Sequence, residues 1–525
     1  MAMSEADRAF GMLRSRALSM SRAWSRLLAF RRIRAVGWCA LCLLAVWPAG
    51  CAYRGEMRGS LHSRRSEAYR RWQSVRNGEE ESKPHLTGAL SLQDALKVAI
   101  AYNKSLQVTV QERLVAAGMV TEAYAGAMPT LSATAAYVRL EEVPAPGQVN
   151  NYSTGLEIRQ PLFRGGAVLA GIRTAQWNAL LADEQVRGAV QSVIYDAAKA
   201  YCDVLLAQHL YEVNRDAVES ARAHLRDVEI KRQQGVVSDF GVLRAQVDVS
   251  NFEAAMIQQR NRVHVARTEL LRSMGASQQS EVTLSDVLTY TRLKPVAEEA
   301  VRLAYRNRPD LYQAELGILM QQEAVRIAQG RYWPMVDAWF RQEWARPDPV
   351  VPARDRWGGL WTAGLSASWT LFDGFGREGR IAQEQARLRQ RELQLADAEE
   401  RVLEQLQQAV LSVQDAEEFV ESQRMNLSRA SEAVRLAEVE YRQGIAEAVT
   451  VTEARAALTR AQGYYYEAVY SHTLARLNLQ RAMGILGPRS DDSTAPEDTE
   501  FRPGRIAEFS PDDASAADEV QEVSQ

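Results

Sequence analysis

The chain has 525 residues, 46% of them hydrophobic and 25% charged, with a formal net charge of -3. That balance permits a sizeable buried core, gives no bulk positive charge for nucleic acid, and with only four cysteines excludes a disulfide framework. Glycine and proline are sparse while Ala, Leu, Gln, Glu and Arg are frequent, which favours long helices over a compact mixed fold.

Residues 1–50 read as a signal peptide. Arginines run through Arg34, an apolar stretch from Ala35 to Ala49 is too short to span a bilayer, and Ala49-Gly50-Cys51 follows. Small residues before a cysteine resemble a lipoprotein signal, so Cys51 is the expected lipidation (palmitate) site, although Pro48 stands where such signals usually carry Leu, Val or Ile. Met12 or Met20 could be the true start. Cys39 and Cys42 fall inside the same stretch, leaving Cys202 as a small buried hydrophobe of the body. Residues 51–89 form an N-terminal mature segment. No later run of eighteen apolar residues occurs, so any membrane crossing must use strands.

From residue 90 the chain repeats itself. Ala95-Leu96-Lys97-Val98-Ala99 answers Ala300-Val301-Arg302-Leu303-Ala304, and Pro129 answers Pro334, both 205 residues apart. Leu162-Phe163 answers Leu371-Phe372, Gly235 answers Gly444 and Met274-Gly275 answers Met483-Gly484, all 209 apart. One length difference of four residues therefore lies between Pro129 and Phe163, where loops absorb it. The two structural repeats cover residues 90–288 and 289–487, and an acidic, Pro/Ser-rich tail, 488–525, is expected to be disordered.

Within each repeat the hydrophobic period switches from helical to alternating and back. Residues 92–127 read as helix interrupted near Asn103, and 295–329 as helix broken before Pro309. Strands are predicted at about 131–141 and 152–163, then at about 335–344 and 360–372. In the last, Trp361, Ala363, Leu365, Ala367, Trp369 and Leu371 alternate with Thr362, Gly364, Ser366, Ser368 and Thr370. Such lengths suit tilted transmembrane strands, with Tyr152, Trp339, Trp344, Trp361 and Trp369 as candidate membrane-belt aromatics. Trp344 stands at opposite parity to Trp339, and a soluble half-buried sheet would show the same alternation. Long helices follow at 167–233 and 377–443, each a rod of roughly 100 Å, with return helices at 239–274 and 448–484. Four strands per chain leave two open edges, which hydrocarbon does not tolerate, so several copies must share one barrel.

This layout resembles the TolC-type outer membrane efflux proteins over essentially Leu90 to Leu486. The marks are Ser91-Leu92-Gln93-Asp94-Ala95-Leu96 at the opening, then Met128-Pro129-Thr130-Leu131 and Trp333-Pro334 at the strand entries. Gln160-Pro161-Leu162-Phe163-Arg164-Gly165-Gly166 and Trp369-Thr370-Leu371-Phe372-Asp373-Gly374 mark the strand exits. The resemblance implies a mixed α and transmembrane β fold in which a homotrimer builds a 12-stranded barrel continued by a long periplasmic α-helical barrel. It implies a passive outer-membrane duct of a tripartite efflux or secretion system, projecting into the periplasm, that exports small molecules or proteins. It further implies a periplasmic adaptor (membrane fusion) protein and an inner-membrane pump or ABC transporter as partners, with outer-membrane lipid around the barrel.

Arg232-Gln233-Gln234-Gly235 and Arg442-Gln443-Gly444 look like the family's adaptor-contacting hairpin tips, with Gly235, Val236, Leu243, Gly444 and Ile445 as contact residues. Leu243 has Thr452 as its counterpart, a departure from the family pattern at the second tip, and Ala52-Tyr53-Arg54-Gly55 lacks the Gly-Pro-Asp-Tyr of the lipidated drug-efflux branch. Asp239, Glu447 and Glu453 are candidates for the acids that narrow the family's tunnel, although acids at helix N-termini are favoured there in any case.

No enzyme is expected. His62, His85, His209, His224, His264 and His472 are scattered, no metal-ligand spacing or phosphate-cradling glycine loop occurs, and no cofactor is implied. The competing reading is a soluble periplasmic coiled-coil scaffold or adaptor, which requires sustained heptads and no paired alternating strands.

Overall fold

The computed structural model describes residues 61, 63–71, 73–74, 84, 86–142 and 148–487. The expected signal peptide, Cys51 and the acidic tail lie outside the described residues. The chain divides into two units, Met1–Ser82 and Lys83–Gln525. The described residues of the first, within 61–74, are helical.

The second unit carries the repeats. The first repeat holds α1 (Leu92–Tyr102), α2 (Lys104–Ala125), β2 (Thr130–Arg139), β3 (Asn150–Arg164), α3 (Ala167–Gln233) and α4 (Asp239–Met274). The second holds α5 (Ala297–Asn307), α6 (Pro309–Gly330), β5 (Met335–Arg346), β6 (Gly358–Ser368), α7 (Gly376–Arg442) and α8 (Ala448–Ala482). Short strands β1 (Thr87–Leu90) and β4 (Glu281–Leu284) pair in parallel, fastening the start of the first repeat to its end. No helix among the described residues is long and apolar enough to cross a membrane.

Each helix break has its own chemistry. Asn103 stops α1 and starts α2: its Oδ1 accepts from the Ser105 and Leu106 amides at 2.9 and 3.2 Å, while its Nδ2 donates to the Ser273 carbonyl at 2.8 Å. In the second repeat Pro309 opens α6 and holds Arg308 extended at ψ 120°. The Met-Gly pairs explain themselves here. Gly275 (φ +69°) and Gly484 (φ +71°) end the return helices, and a Cβ on Gly275 would stand 2.3 Å from the Tyr102 carbonyl oxygen. On Gly484 it would stand 2.8 Å from the Asn307 carbonyl carbon. Glycine is required where each return helix closes against the break of its own repeat.

The core is made of small side chains. Ala197, Ala198, Val204 and Tyr201 of α3 pack against Leu96 and Ala99 of α1 and Leu270 and Met274 of α4. The Tyr201 hydroxyl lies 2.9 Å from both the Leu90 carbonyl and the Asp286 carboxylate. A second cluster joins α5, α7 and α8 through Ala304, Leu406, Val413 and Leu479. Cys202 is buried, and burial pushes its thiol up to about 12, so it stays protonated and unreactive.

His472 on α8 is fully buried, its ring edge-on to Tyr290 at 5.0 Å, and neither ring nitrogen has a hydrogen-bond partner among the described residues. Burial first, then nearby Arg476, hold its pKa below the ordinary 6.5, with Glu417 opposing. The unfolded chain therefore binds a proton more readily than the folded one. Stability is full above pH 6.5 and falls as pH drops through that value toward the folded pKa. His472→Leu removes two unpartnered buried nitrogens. It should raise stability by about 1–2 kcal/mol at pH 7 and flatten the loss between pH 6.5 and 5. Thermal melts of detergent-extracted protein at the two pH values check this, and an unaltered acid sensitivity would assign it to other groups.

Candidate functional site: a two-faced sheet and two hairpin tips

The strands β2, β3, β5 and β6 form one antiparallel four-stranded sheet in that order, leaving β2 and β6 as free edges. Directly paired residues share a face, so the register sorts every side chain. Leu131↔Ile158, Ala133↔Leu156, Tyr137↔Tyr152, Ile158↔Phe340, Ala338↔Leu365 and Phe340↔Ala363 place an apolar set on one face. Ser132↔Glu157, Glu157↔Arg341, Arg341↔Thr362 and Asp337↔Ser366 place a polar set on the other. On the polar face the Glu157 carboxylate accepts from Arg341 at 2.6 and 3.0 Å and from Arg159 at 2.8 and 3.2 Å. Arg164 pairs with Asp337 at 2.6 Å. The apolar face is bare: Leu131 is 69% and Leu365 73% exposed. Between its two ends, where Gln160 and Arg346 stand, this face is apolar across four strands apart from Thr154 and Gln342; backed by ion pairs, it suits lipid outside and water inside.

Tyr152, Trp344 and Trp361 stand on the apolar face toward the end where the strands turn, joined by Tyr137, whose ring lies 5.0 Å from that of Tyr152. Trp339 is a correction. It sits on the polar face between Asp337 and Arg341, lying across Gly364, where a Cβ would meet its Cζ2 at 3.0 Å. Trp369 falls just beyond β6, and its Nε1 donates to the Tyr332 carbonyl at 3.0 Å.

The strand expected to reach residue 372 stops at Ser368. Its partner β5 begins at Met335, which pairs with Ser368, and among the described residues nothing flanks its other edge. The strand β3, flanked on both sides, continues to Arg164 around an irregularity at Pro161, which has no N–H to give the ladder. Likewise β2 ends at Arg139 rather than 141, and α8 at Ala482, where Gly484 has already turned the backbone.

At the far end of the long helices the two tips are built alike. Gly235 (φ +75°) follows α3; its amide bonds the Arg232 carbonyl and the Val236 amide the Lys231 carbonyl, both at 2.9 Å. Gly444 (φ +77°) follows α7, with its amide on Tyr441 at 3.1 Å and that of Ile445 on Glu440 at 2.9 Å. Both closures use the left-handed glycine that ends helices tightly. Val236 and Ile445 are each 73% exposed at the apices. Leu243 is also exposed, and with Phe240 and Val247 of α4 it makes an apolar stripe at helical spacing, just beyond the exposed Val236 of the tip. Thr452, its counterpart, is half-buried.

Of the three candidate acids, Asp239 is ion-paired to Arg232 at 2.5 Å across the first tip. Glu447 is the N-cap residue of α8, and Glu453 is exposed further along that helix. Two braces between the hairpins join residues that no motif or period in the sequence brings together. The Lys231 ammonium donates to the Tyr441 hydroxyl at 2.7 Å and lies 4.0 Å from that ring's centre. Arg455 holds Glu438 at 2.8 Å and reaches the Ser220 carbonyl at 3.3 Å. A faint signal existed, because Tyr441 is the repeat counterpart of Arg232, next to Lys231.

A sheet that is bare and apolar on one side, ion-paired on the other and open at both edges, continued by two helical hairpins, defines the protomer of a membrane duct whose barrel is shared between copies. The chain belongs to the outer membrane efflux protein family: the family model matches residues 95–276 and 300–485, once per repeat. The chain is 22% identical to the outer membrane protein TolC of Salmonella enteritidis over 460 residues, 82% of this chain and 90% of that protein. It is 29% identical to the outer membrane efflux protein BepC of Brucella suis over 163 residues, 30% of this chain and 36% of that one. Its fold matches the CmeC outer membrane channel of Campylobacter jejuni with a TM-score of 0.67 at 14% identity, covering 76% and 87% of the two chains. The protein is an outer-membrane duct that projects into the periplasm, and its family is one of channels rather than enzymes. The scaffold reading falls with the paired strands.

Proposed function

We propose that three copies close edge to edge, β6 of each pairing antiparallel with β2 of the next, into a passive export duct that performs no chemistry. The single observation that carries this is the two-faced sheet with both edges free. The internal duplication supplies the register. Within the chain Ile158 pairs with Phe340. Their repeat counterparts are Ala367, 209 residues on, and Ala135, 205 residues back, and both lie on the apolar face. Ala367 therefore pairs with Ala135 of the next copy, and residues 369–373 gain the neighbour that they lack in one chain.

A periplasmic adaptor protein engages the tips around Gly235, Val236, Leu243, Gly444 and Ile445, and an inner-membrane pump or ABC transporter supplies the energy. Opening then separates the hairpins that Lys231–Tyr441 and Arg455–Ser220 brace, and Asp239, Glu447 and Glu453 line the narrowed end. Tyr152, Trp344 and Trp361 anchor the barrel in outer-membrane lipid, with a lipid on Cys51 as a second anchor. Val236→Asp with Ile445→Asp places a charge on each exposed apex without touching the barrel. Export by cells that depend on this duct should fall at least tenfold while the trimer stays intact; undiminished export would remove the tips from the mechanism.

A further inference from the structure

A cavity of about 220 Å³ lies where the two hairpins meet, lined by residues of α3, α4, α7 and α8. Its α3 wall, from Val213 to His224, ends about 15 Å from the tip at the helical rise per residue. The space exists because Ala217, Ala221 and Ala245 face Phe252, Val434 and Leu458 where larger side chains would fill the junction.

The charges in its wall do not cancel. Glu438 is held by Arg455 at 2.8 Å, and Asp216 by Arg215 at 3.1 Å. His224 is kept neutral at pH 7 by burial first and then by Arg455, against the pull of Asp227 and Asp248, with Lys231 also opposing the proton. Asp248 is half-buried and lines the cavity, and its carboxylate makes no hydrogen bond or ion pair among the described residues. One carboxylate is left uncompensated in a largely apolar hollow. Such a group favours an opposite charge that brings its own apolar body.

We infer that this cavity binds a small organic monocation, an aromatic body of one or two rings bearing a single ammonium, with Asp248 as its counter-ion and Phe252 as an aromatic wall. The size is right, since an apolar hollow of about 150 Å³ already accommodates benzene. An occupant touches all four helices and so ties one hairpin to the other. The binding claim stands whether or not the tips open.

The test is a calorimetric titration of the full-length protein, held in amphipol, with 1-naphthylmethylammonium and with its neutral isostere 1-naphthylmethanol. Wild type, Ala221→Phe and Asp248→Asn share one barrel, so non-specific partition cancels in the comparison. One saturable site per protomer is expected in wild type, about tenfold weaker in Asp248→Asn and for the neutral isostere, and absent in Ala221→Phe. Isotherms that coincide for wild type and Ala221→Phe would overturn the site. Undiminished amine binding by Asp248→Asn, whose side chain is isosteric and spares the packing, would overturn the ligand class.

Discussion

Leu365→Arg should abolish assembly of the duct, whereas Ser366→Arg, one residue along the same strand, should leave it intact. Leu365 is 73% exposed on the apolar face of β6, opposite Ala338 and midway between Trp361 and Trp369 along the chain, where an arginine meets hydrocarbon. The cost there is about 2–4 kcal/mol per arginine, and three copies bring it to roughly 6–12 kcal/mol per barrel, comparable to the whole stability of an ordinary domain. Ser366 pairs with Asp337 on the polar face, so its arginine enters water beside a carboxylate. Heat-modifiable trimer in the outer-membrane fraction reads both variants. Equal tolerance of the two would mean that the apolar face does not meet lipid.

Gly165→Ala should be nearly as damaging, for a reason that has nothing to do with the membrane. At φ +60° Gly165 leaves β3, and a Cβ there would stand 2.0 Å from the carbonyl oxygen of Gly330 at the end of α6. Two backbones from different repeats touch at this point, and no flexible side chain can yield. The expected loss is at least about 3 kcal/mol, with left-handed strain added to the collision. Its neighbour Gly166, at φ +81° with nothing within 4 Å, should lose only the strain when changed to alanine, about 1–2 kcal/mol. The dissociation temperature of the extracted protein should separate the two variants by several degrees or more.

Much of this was legible in the sequence because it is local or repeated. The duplication, the breaks at Asn103 and before Pro309, and the glycines that reverse the hairpins are all written in residue type and spacing. The side taken by Trp339 was also available, because its companions two residues away, Asp337 and Arg341, are charged. Its size and ring chemistry drew attention from that parity. The end of β6 at Ser368 was not available, since a strand end depends on where the partner strand begins. The brace between Lys231 and Tyr441 depends on how one hairpin seats on another, which neither period nor propensity records. Phe240 and Val247 were readable as helical spacing from Leu243, yet only their exposure marks them as a stripe on the outside rather than a core seam.

Cysteine pairing across the subunit boundary tests the shared barrel most directly. The buried thiol of Cys202 stays protonated and should not interfere. With Ala367→Cys and Ala135→Cys in one chain, a membrane-permeant oxidant should convert monomers in the outer membrane into a covalent trimer. Each single variant should give none, and Leu365→Cys with Ala135→Cys, displaced by two residues, should give little. No covalent trimer from the matched pair, with the protein a water-soluble monomer, would contradict the account.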